Sequence, residues 1–315
     1  MKTRTISDDF MSDLMVGKLS SLLSRIKQDH TLMLSIRKNY VNIYYRGGNI
    51  LKVEEQSNGS YRSFFDQNYD TQNRLNGLAL KMPSSINSRD DSDHWVAALQ
   101  ELKGIMDCYF STYNKPEREF QQLIARENNF STISNQSEYF VSDIELADSG
   151  LGARFDILAL RWLASQRKNA AGFRPVLIEM KYGDNALNGS SGIIKHLADI
   201  QEIIEEGKYE LLIDTMLSQF VQLDELGLMK FNKVANWVSP EIDKEVKPEI
   251  VFVLANHNPR SSTLKTILND PKIDKFDASG NFDLRFHVSS FSGYALHADC
   301  MLPLKEFRKL VNSKS

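Results

Sequence analysis

Two short apolar runs constrain this chain more than any other segments. They are residues 154–161 (Arg-Phe-Asp-Ile-Leu-Ala-Leu-Arg) and 175–183 (Pro-Val-Leu-Ile-Glu-Met-Lys-Tyr-Gly). Each carries charge inside the run. Side chains two apart on a β-strand share a face. Arg154, Asp156 and Leu158 therefore project together, and so do Leu177, Glu179 and Lys181. If the runs pair as neighbouring strands, Asp156 stands beside Glu179 with Lys181 one step along. Two carboxylates converging at the end of buried strands cost folding energy unless a cation or donor satisfies them. The pattern points to a metal site. The plainer alternative is a partly exposed strand with an ordinary ion pair. Glu-x-Lys alone decides nothing, since it recurs at 101–103, 206–208 and 245–247. Only the 179–181 copy has an apolar lead-in, an upstream strand aspartate and a following glycine.

Upstream, residues 114–128 read as a helix. Pro116 suits its first turn, and Glu117 and Glu119 suit the positive end of its dipole. Phe120, Leu123 and Ile124 form the buried stripe, and Glu117 lies on the Ile124 side. Residues 139–146 read as a strand, and the turn at 148–152 returns the chain into the Asp156 strand as a hairpin. Residues 165–174 form a basic connection. Arg167, Lys168 and Arg174 are candidates there for touching phosphate, with a solvated hairpin tip as the alternative. Helical periodicity resumes over 192–204, with Ile193, Leu197, Ile200 and Ile204 as its stripe. Gln201 falls inside that stripe, where a buried amide needs partners. His196 lies at its edge, and Lys195 points nearly away.

This arrangement resembles the PD-(D/E)xK nuclease superfamily, the restriction-endonuclease-like fold. Its motif is an acid on one strand, Glu-x-Lys or Asp-x-Lys on the next, and a glutamate on an earlier helix. The chain departs from the name in having Phe155-Asp156 where Pro-Asp stands. The pattern Glu117-Arg-x-Phe-x-x-Leu123 is also similar to the helix carrying the first glutamate in archaeal Holliday-junction resolvases. The resemblance covers about residues 115 to 260 and rests on scattered residues. It implies an α/β fold, a restriction-endonuclease-like mixed sheet flanked by helices. It also implies Mg²⁺ (or Mn²⁺) held by Asp156 and Glu179, with Glu117, favoured over Glu119, binding a second ion or orienting the shell. Lys181 would stand beside the attacking water. The further polar residue that the superfamily often carries on the next helix would be Gln201, with Lys195 or His196 as alternatives. The catalytic set is thus Glu117, Asp156, Glu179, Lys181 and Gln201, and the phosphate contacts are Arg167, Lys168, Arg174 and Lys195. The implied activity is hydrolysis of nucleic-acid phosphodiesters, DNA first, in restriction, repair or phage defence.

The remaining sequence is divided at 93/94. Residues 1–93 read as a small α+β extension and linker: a helix over 10–28, then an antiparallel meander with turns at Lys38-Asn39 and Gly47-Gly48. A fourth strand near 61–65 and a polar linker over 66–93 follow. Residues 94–315 read as the nuclease-like part, with a helix near 94–106, helical signals to about 237, strands near 249–255 and 282–288, and a terminal helix from 303. Residues 1–62 hold ten Lys/Arg against six Asp/Glu. That mild basic bias, interleaved with Tyr40, Tyr44 and Tyr45, could serve nucleic-acid contact, although a small core sheet with a solvated face is the plainer explanation.

Composition limits the alternatives. The net charge of −3 is not that of a protein binding DNA through bulk charge, so affinity must come from local basic surface and metal-bridged phosphates. Cys108 and Cys300 lack zinc-like spacing and suggest a reducing cytoplasm; His297-Ala-Asp299 reads as coincidence. No apolar run approaches the roughly 20 residues of a membrane span, and acids at 8, 9 and 13 interrupt any signal-peptide core. A homodimer or a partner protein is compatible with the chain. Two other classes stay open: a non-catalytic nucleic-acid-binding or assembly protein on the same fold, and an unrelated α/β protein in which Asp156, Glu179 and Lys181 only satisfy one another.

Overall fold

The computed structural model describes residues 4–78, 82–148, 153–167, 172–233, 241–242, 246–256, 262–289 and 301–313. Lys168 and the 297–299 tripeptide fall outside them. The chain forms two compact units, Lys2–Gln122 with Gln222–Leu228, and Leu123–Val221 with Met229–Ser315.

The N-terminal unit begins with α1 (Asp8–Met15) and α2 (Ser20–Gln28). The single helix expected there is interrupted over 16–19. Asp13 Oδ1 accepts the Lys18 N–H at 3.3 Å, and a Cβ on Gly17 would fall 2.1 Å from that oxygen. Next come β1 (Leu32–Arg37), β2 (Tyr40–Tyr45), β3 (Gly48–Glu55), β4 (Tyr61–Phe64) and β5 (Ser85–Ile86), an antiparallel sheet in that order. Its β2–β3 turn is Arg46-Gly47, both with positive φ (49° and 73°), one residue earlier than the glycine pair suggests. Such a two-residue turn matches strand twist.

α3 (Arg89–Thr112) starts earlier than expected because Ser88 at its N-cap and Asp91 in its first turn form a capping box. Its buried stripe, Trp95, Leu99, Leu102 and Met106, recurs every three or four residues. Trp95 Nε1 donates to Ser63 Oγ of β4 at 3.0 Å. α3 thus belongs with the first sheet, and the supposed linker over 66–93 contains the strand that completes that sheet's edge. The division accordingly falls at 122/123 rather than 93/94.

Lys103 of α3, itself buried, is ion-paired with Asp29 and donates to Thr31 Oγ1 at 2.7 Å. Burial alone would raise the Asp29 carboxyl, but the bonds from Lys103 and Thr31 outweigh it and lower it to about 2. A carboxyl depressed in the folded state stabilises the fold above its unfolded pKa, and the contribution disappears as pH falls from about 4 to about 2. Lys103→Met should therefore lower the melting temperature at pH 7 and narrow the gap to wild type as pH drops through that window. Thermal melts between pH 7 and 2 check this; a constant gap would show that the pair contributes nothing linked to Asp29 ionisation.

The chain enters the C-terminal unit within α4 (Pro116–Phe130). Its sheet holds β6 (Tyr139–Asp148), β7 (Ala153–Arg161), β8 (Arg174–Tyr182), β9 (Glu249–Ala255), β10 (Asp283–Ser289) and β11 (Leu302–Pro303), in the order β11-β10-β9-β8-β7-β6. β6, β7 and β8 form an antiparallel meander, whereas β8, β9 and β10 run parallel. Parallel neighbours need crossovers. α5 (Ile193–Glu205) and α6 (Tyr209–Glu225) provide the first; α7 (Ser262–Leu268) and α8 (Pro271–Ala278) provide the second. α6 ends at Glu225, and residues 234–237 of the helical signal read to 237 lie outside the described residues. α9 (Leu304–Asn312) follows β11. Residues 175–181 of β8 are all buried, as a central strand covered on both faces requires. The architecture is mixed α/β. No helix among the described residues is long and apolar enough to cross a membrane.

Candidate active site

β7 and β8 pair from Arg161↔Arg174 as far as Ile157↔Ile178, and there the ladder ends. One step further, Asp156 would face Glu179. Instead, Asp156 Oδ2 accepts the Met180 backbone N–H at 2.9 Å, so a side chain takes over where backbone pairing stops. Asp156 is 9% exposed and Glu179 only 1%, and Lys181 beyond it is also buried. By strand alternation all three share one face. They lie toward the carboxyl end of β8, the end at which ligands bind in open sheets with parallel strands.

Glu179 is the unusual member. Lys181 Nζ stands 3.6 Å from its Oε2, and His196 Nδ1 from α5 stands 2.7 Å from the same oxygen. These are ion-pairing distances, yet neither contact has hydrogen-bond geometry. Both Glu179 oxygens are buried without a hydrogen-bond donor. Lys181 offsets part of the charge of this carboxylate, but two buried oxygens without hydrogen bonds remain costly, and a metal cation could satisfy them.

His196 enters the site at the expense of Gln201. The buried stripe of α5 is Ile193, Leu197, Ile200 and Ile203. Using Ile203 in place of Ile204 widens the buried arc on the His196 side and leaves Gln201 on the flank. Gln201 Nε2 donates to Glu205 Oε1 at 2.6 Å, and Glu179 receives no bond from it. The expectation for Gln201 is corrected accordingly. The signal for His196 was legible as its position at the stripe's edge.

Register adds one acid that sequence reading passed over. Asp143 of β6 pairs with Leu158, which shares a face with Asp156. It is buried, but satisfied: Oδ1 accepts the Ile144 N–H at 2.8 Å and Oδ2 accepts from Gln219 of α6 at 3.1 Å. Glu117 and Glu119 belong to the other unit, where Glu119 accepts from Arg46 Nε at 3.1 Å and Glu117 is half-buried. Within the C-terminal unit the site brings together Asp156, Glu179, Lys181 and His196.

The expected phosphate contacts also change. Arg167 is buried and donates to the Asn135, Ser137 and Trp162 carbonyls, so it holds the fold together. Arg174 donates to the Lys247 carbonyl at 2.7 Å and to Asp283 Oδ2 at 2.5 Å, at the opposite end of the sheet. Lys195 is exposed and ion-paired with Asp199 one turn on. An arginine tends to find carbonyls and carboxylates inside its own fold, which composition alone does not reveal.

Among the described residues, no group of three or more His, Cys, Asp or Glu side chains is placed to hold a metal ion on its own. Two hard carboxylates still fit Mg²⁺, which keeps several waters and takes further oxygens from substrate phosphates. Comparison with known protein families, curated proteins and solved structures finds no match.

Proposed function

We propose that the C-terminal unit is a restriction-endonuclease-like domain acting as a Mg²⁺- or Mn²⁺-dependent nuclease, with DNA the expected substrate. One observation carries this reading: a buried carboxylate, Glu179, whose oxygens lack donors, stands beside Asp156 where two central strands part, with Lys181 on the same face. Asp156 and Glu179 would hold the ion. Once bound, it would polarise the scissile phosphate and ease deprotonation of a water. Lys181 would stabilise charge developing on the phosphate oxygens, from a buried position where its field is little screened. His196, 2.7 Å from Glu179 Oε2 on the helix side, would act as a positioning residue by limiting where that carboxylate can turn.

Two measurements on the full chain test this. Millimolar Mg²⁺ or Mn²⁺ should raise the melting temperature of wild type, since a ligand of the folded state stabilises it by mass action, and should leave Glu179→Gln nearly unmoved. Plasmid and single-stranded DNA should be cut with the metal and left intact with chelator. Absence of both the shift and the cleavage would discard the nuclease reading. Metal binding and DNA binding without cleavage would favour a non-catalytic nucleic-acid-binding protein.

A further inference from the structure

The sheet of the N-terminal unit has two unlike faces. Register puts Leu34, Ile36, Val41, Ile43 and Val53 on its core face. The opposite face carries two adjacent rungs. One runs Arg37–Tyr40–Glu54–Arg62–Ser85 across all five strands, and the other runs Ser35–Asn42–Lys52–Phe64 across four. Phe64 is 42% exposed, Arg62 is exposed, and Tyr40 and Lys52 are half-buried. Lys52 Nζ lies 4.0 Å from the centroid of the Tyr40 ring and 6.0 Å from that of Phe64, so one cation sits between two accessible rings. Lys38, exposed in the turn before Tyr40, adds a further cation. Against Lys38, Lys52 and Arg62 the face sets one carboxylate, Glu54, which is 3.2 Å from Lys52.

At the β1 edge this face is covered, since Ser35 and Arg37 are buried, but burial does not account for Phe64 and Tyr40, which stand in its open part over β2 to β4. Rings interleaved with cations on an open sheet suit a chain of flat bases joined by phosphates. Every base offers a π-face, whereas paired bases in a duplex do not expose theirs. We infer that this face binds single-stranded nucleic acid, with bases stacking on Tyr40 and Phe64 and phosphates meeting Lys38, Lys52 and Arg62. Arg37, Tyr44 and Tyr45 stand outside the contact set. Arg37 is buried and donates to Ser35 Oγ at 2.7 Å and Tyr44 Oη at 3.2 Å. Tyr45 points to the core face, where its hydroxyl donates to Asp107 at 3.0 Å. The inference rests on the nuclease reading for the class of ligand, but binding requires no cleavage, so the two can fail separately.

The test measures binding of fluorescein-labelled oligo(dT) and oligo(rU) of about 16 nucleotides to the full chain in chelator, by anisotropy. Tyr40→Ala and Phe64→Ala should each weaken binding of at least one oligonucleotide about 5- to 100-fold, the range set by roughly 1–3 kcal/mol of stacking per base at about 1.4 kcal/mol per tenfold. Tyr40→Phe keeps the ring and should bind like wild type. Arg62→Glu should reduce the salt dependence by roughly one phosphate contact, about 0.7 in the slope of log affinity against log salt. Melting temperatures of each variant separate lost contact from lost fold. If wild type binds neither oligonucleotide, or binds them with the same affinity and salt slope as the ring and charge variants, the inference is overturned. Cleavage by wild type in that case would leave the nuclease reading standing.

Discussion

Glu179→Gln and Lys181→Met should each cut DNA cleavage by on the order of 10³-fold, because metal and lysine are each asked for several kcal/mol of charge stabilisation at about 1.36 kcal/mol per tenfold. Glu179→Gln should also lose the metal-induced rise in melting temperature, whereas Lys181→Met should keep it, since lysine acts on the substrate and not on the ion. Neither should unfold the domain. Glu179→Gln removes a buried charge that accepts no hydrogen bond but leaves the buried Lys181 ammonium, 3.6 Å away, facing a neutral amide. The two effects offset, and the net change in stability should be small. Asp156 is a less simple probe than its place in the motif suggests. Its Oδ2 takes the Met180 N–H, so Asp156→Ala would leave a buried donor unpaired at about 1–3 kcal/mol. Asp156→Asn keeps an acceptor there and is the variant to assay. A large fall in melting temperature with cleavage intact, in Glu179→Gln or Lys181→Met, would retire the catalytic assignment.

The reverse result is expected at the other end of the sheet. Glu249, fully buried at the start of β9, accepts from Tyr139 Oη at 2.6 Å and from Arg161 Nη1 at 3.0 Å, with Arg174 Nη1 at 3.9 Å. Burial and the Glu249 charge push the Tyr139 phenol far above its ordinary range, so it remains a donor at every accessible pH. Glu249→Ala leaves that donor and two guanidinium groups facing an empty position. The cost should be about 3–5 kcal/mol, roughly 6–20 °C of melting temperature for a unit of this size. Tyr139→Phe should cost less, about 1.5–3 kcal/mol, because it removes one hydrogen bond to a charged group. Neither should change the Mg²⁺ dependence of cleavage by the remaining folded protein. An equal loss of stability from Glu249→Ala and Glu179→Gln would mean that both ends of the sheet are merely structural.

Much of the core of this site was legible in one dimension. Alternation along a strand assigned Asp156, Glu179 and Lys181 to one side, because a period of two depends on nothing outside the strand. The same local logic recovered the meander, the existence of the two strands after it and most helices, but not that those strands run parallel. Features that depend on which helix meets which strand were not legible. His196 displaced Gln201 because the buried arc of α5 includes Ile203 rather than Ile204, a choice made by what the helix packs against. Asp143 joined the Asp156 face only through the register of β6 on β7, which includes a bulge between Val141 and Asp143. Arg167 and Arg174 looked like phosphate ligands in a basic connection, and folding gave them carbonyls and carboxylates instead. The assignment of α3 to the first sheet depended on Trp95 reaching Ser63, a contact 32 residues apart that no local pattern encodes. Sequence by itself determined which side chains share a face, because covalent geometry sets that period. Tertiary structure alone decided which partners satisfy them, because a buried charge or amide is assigned by the nearest complementary group in space.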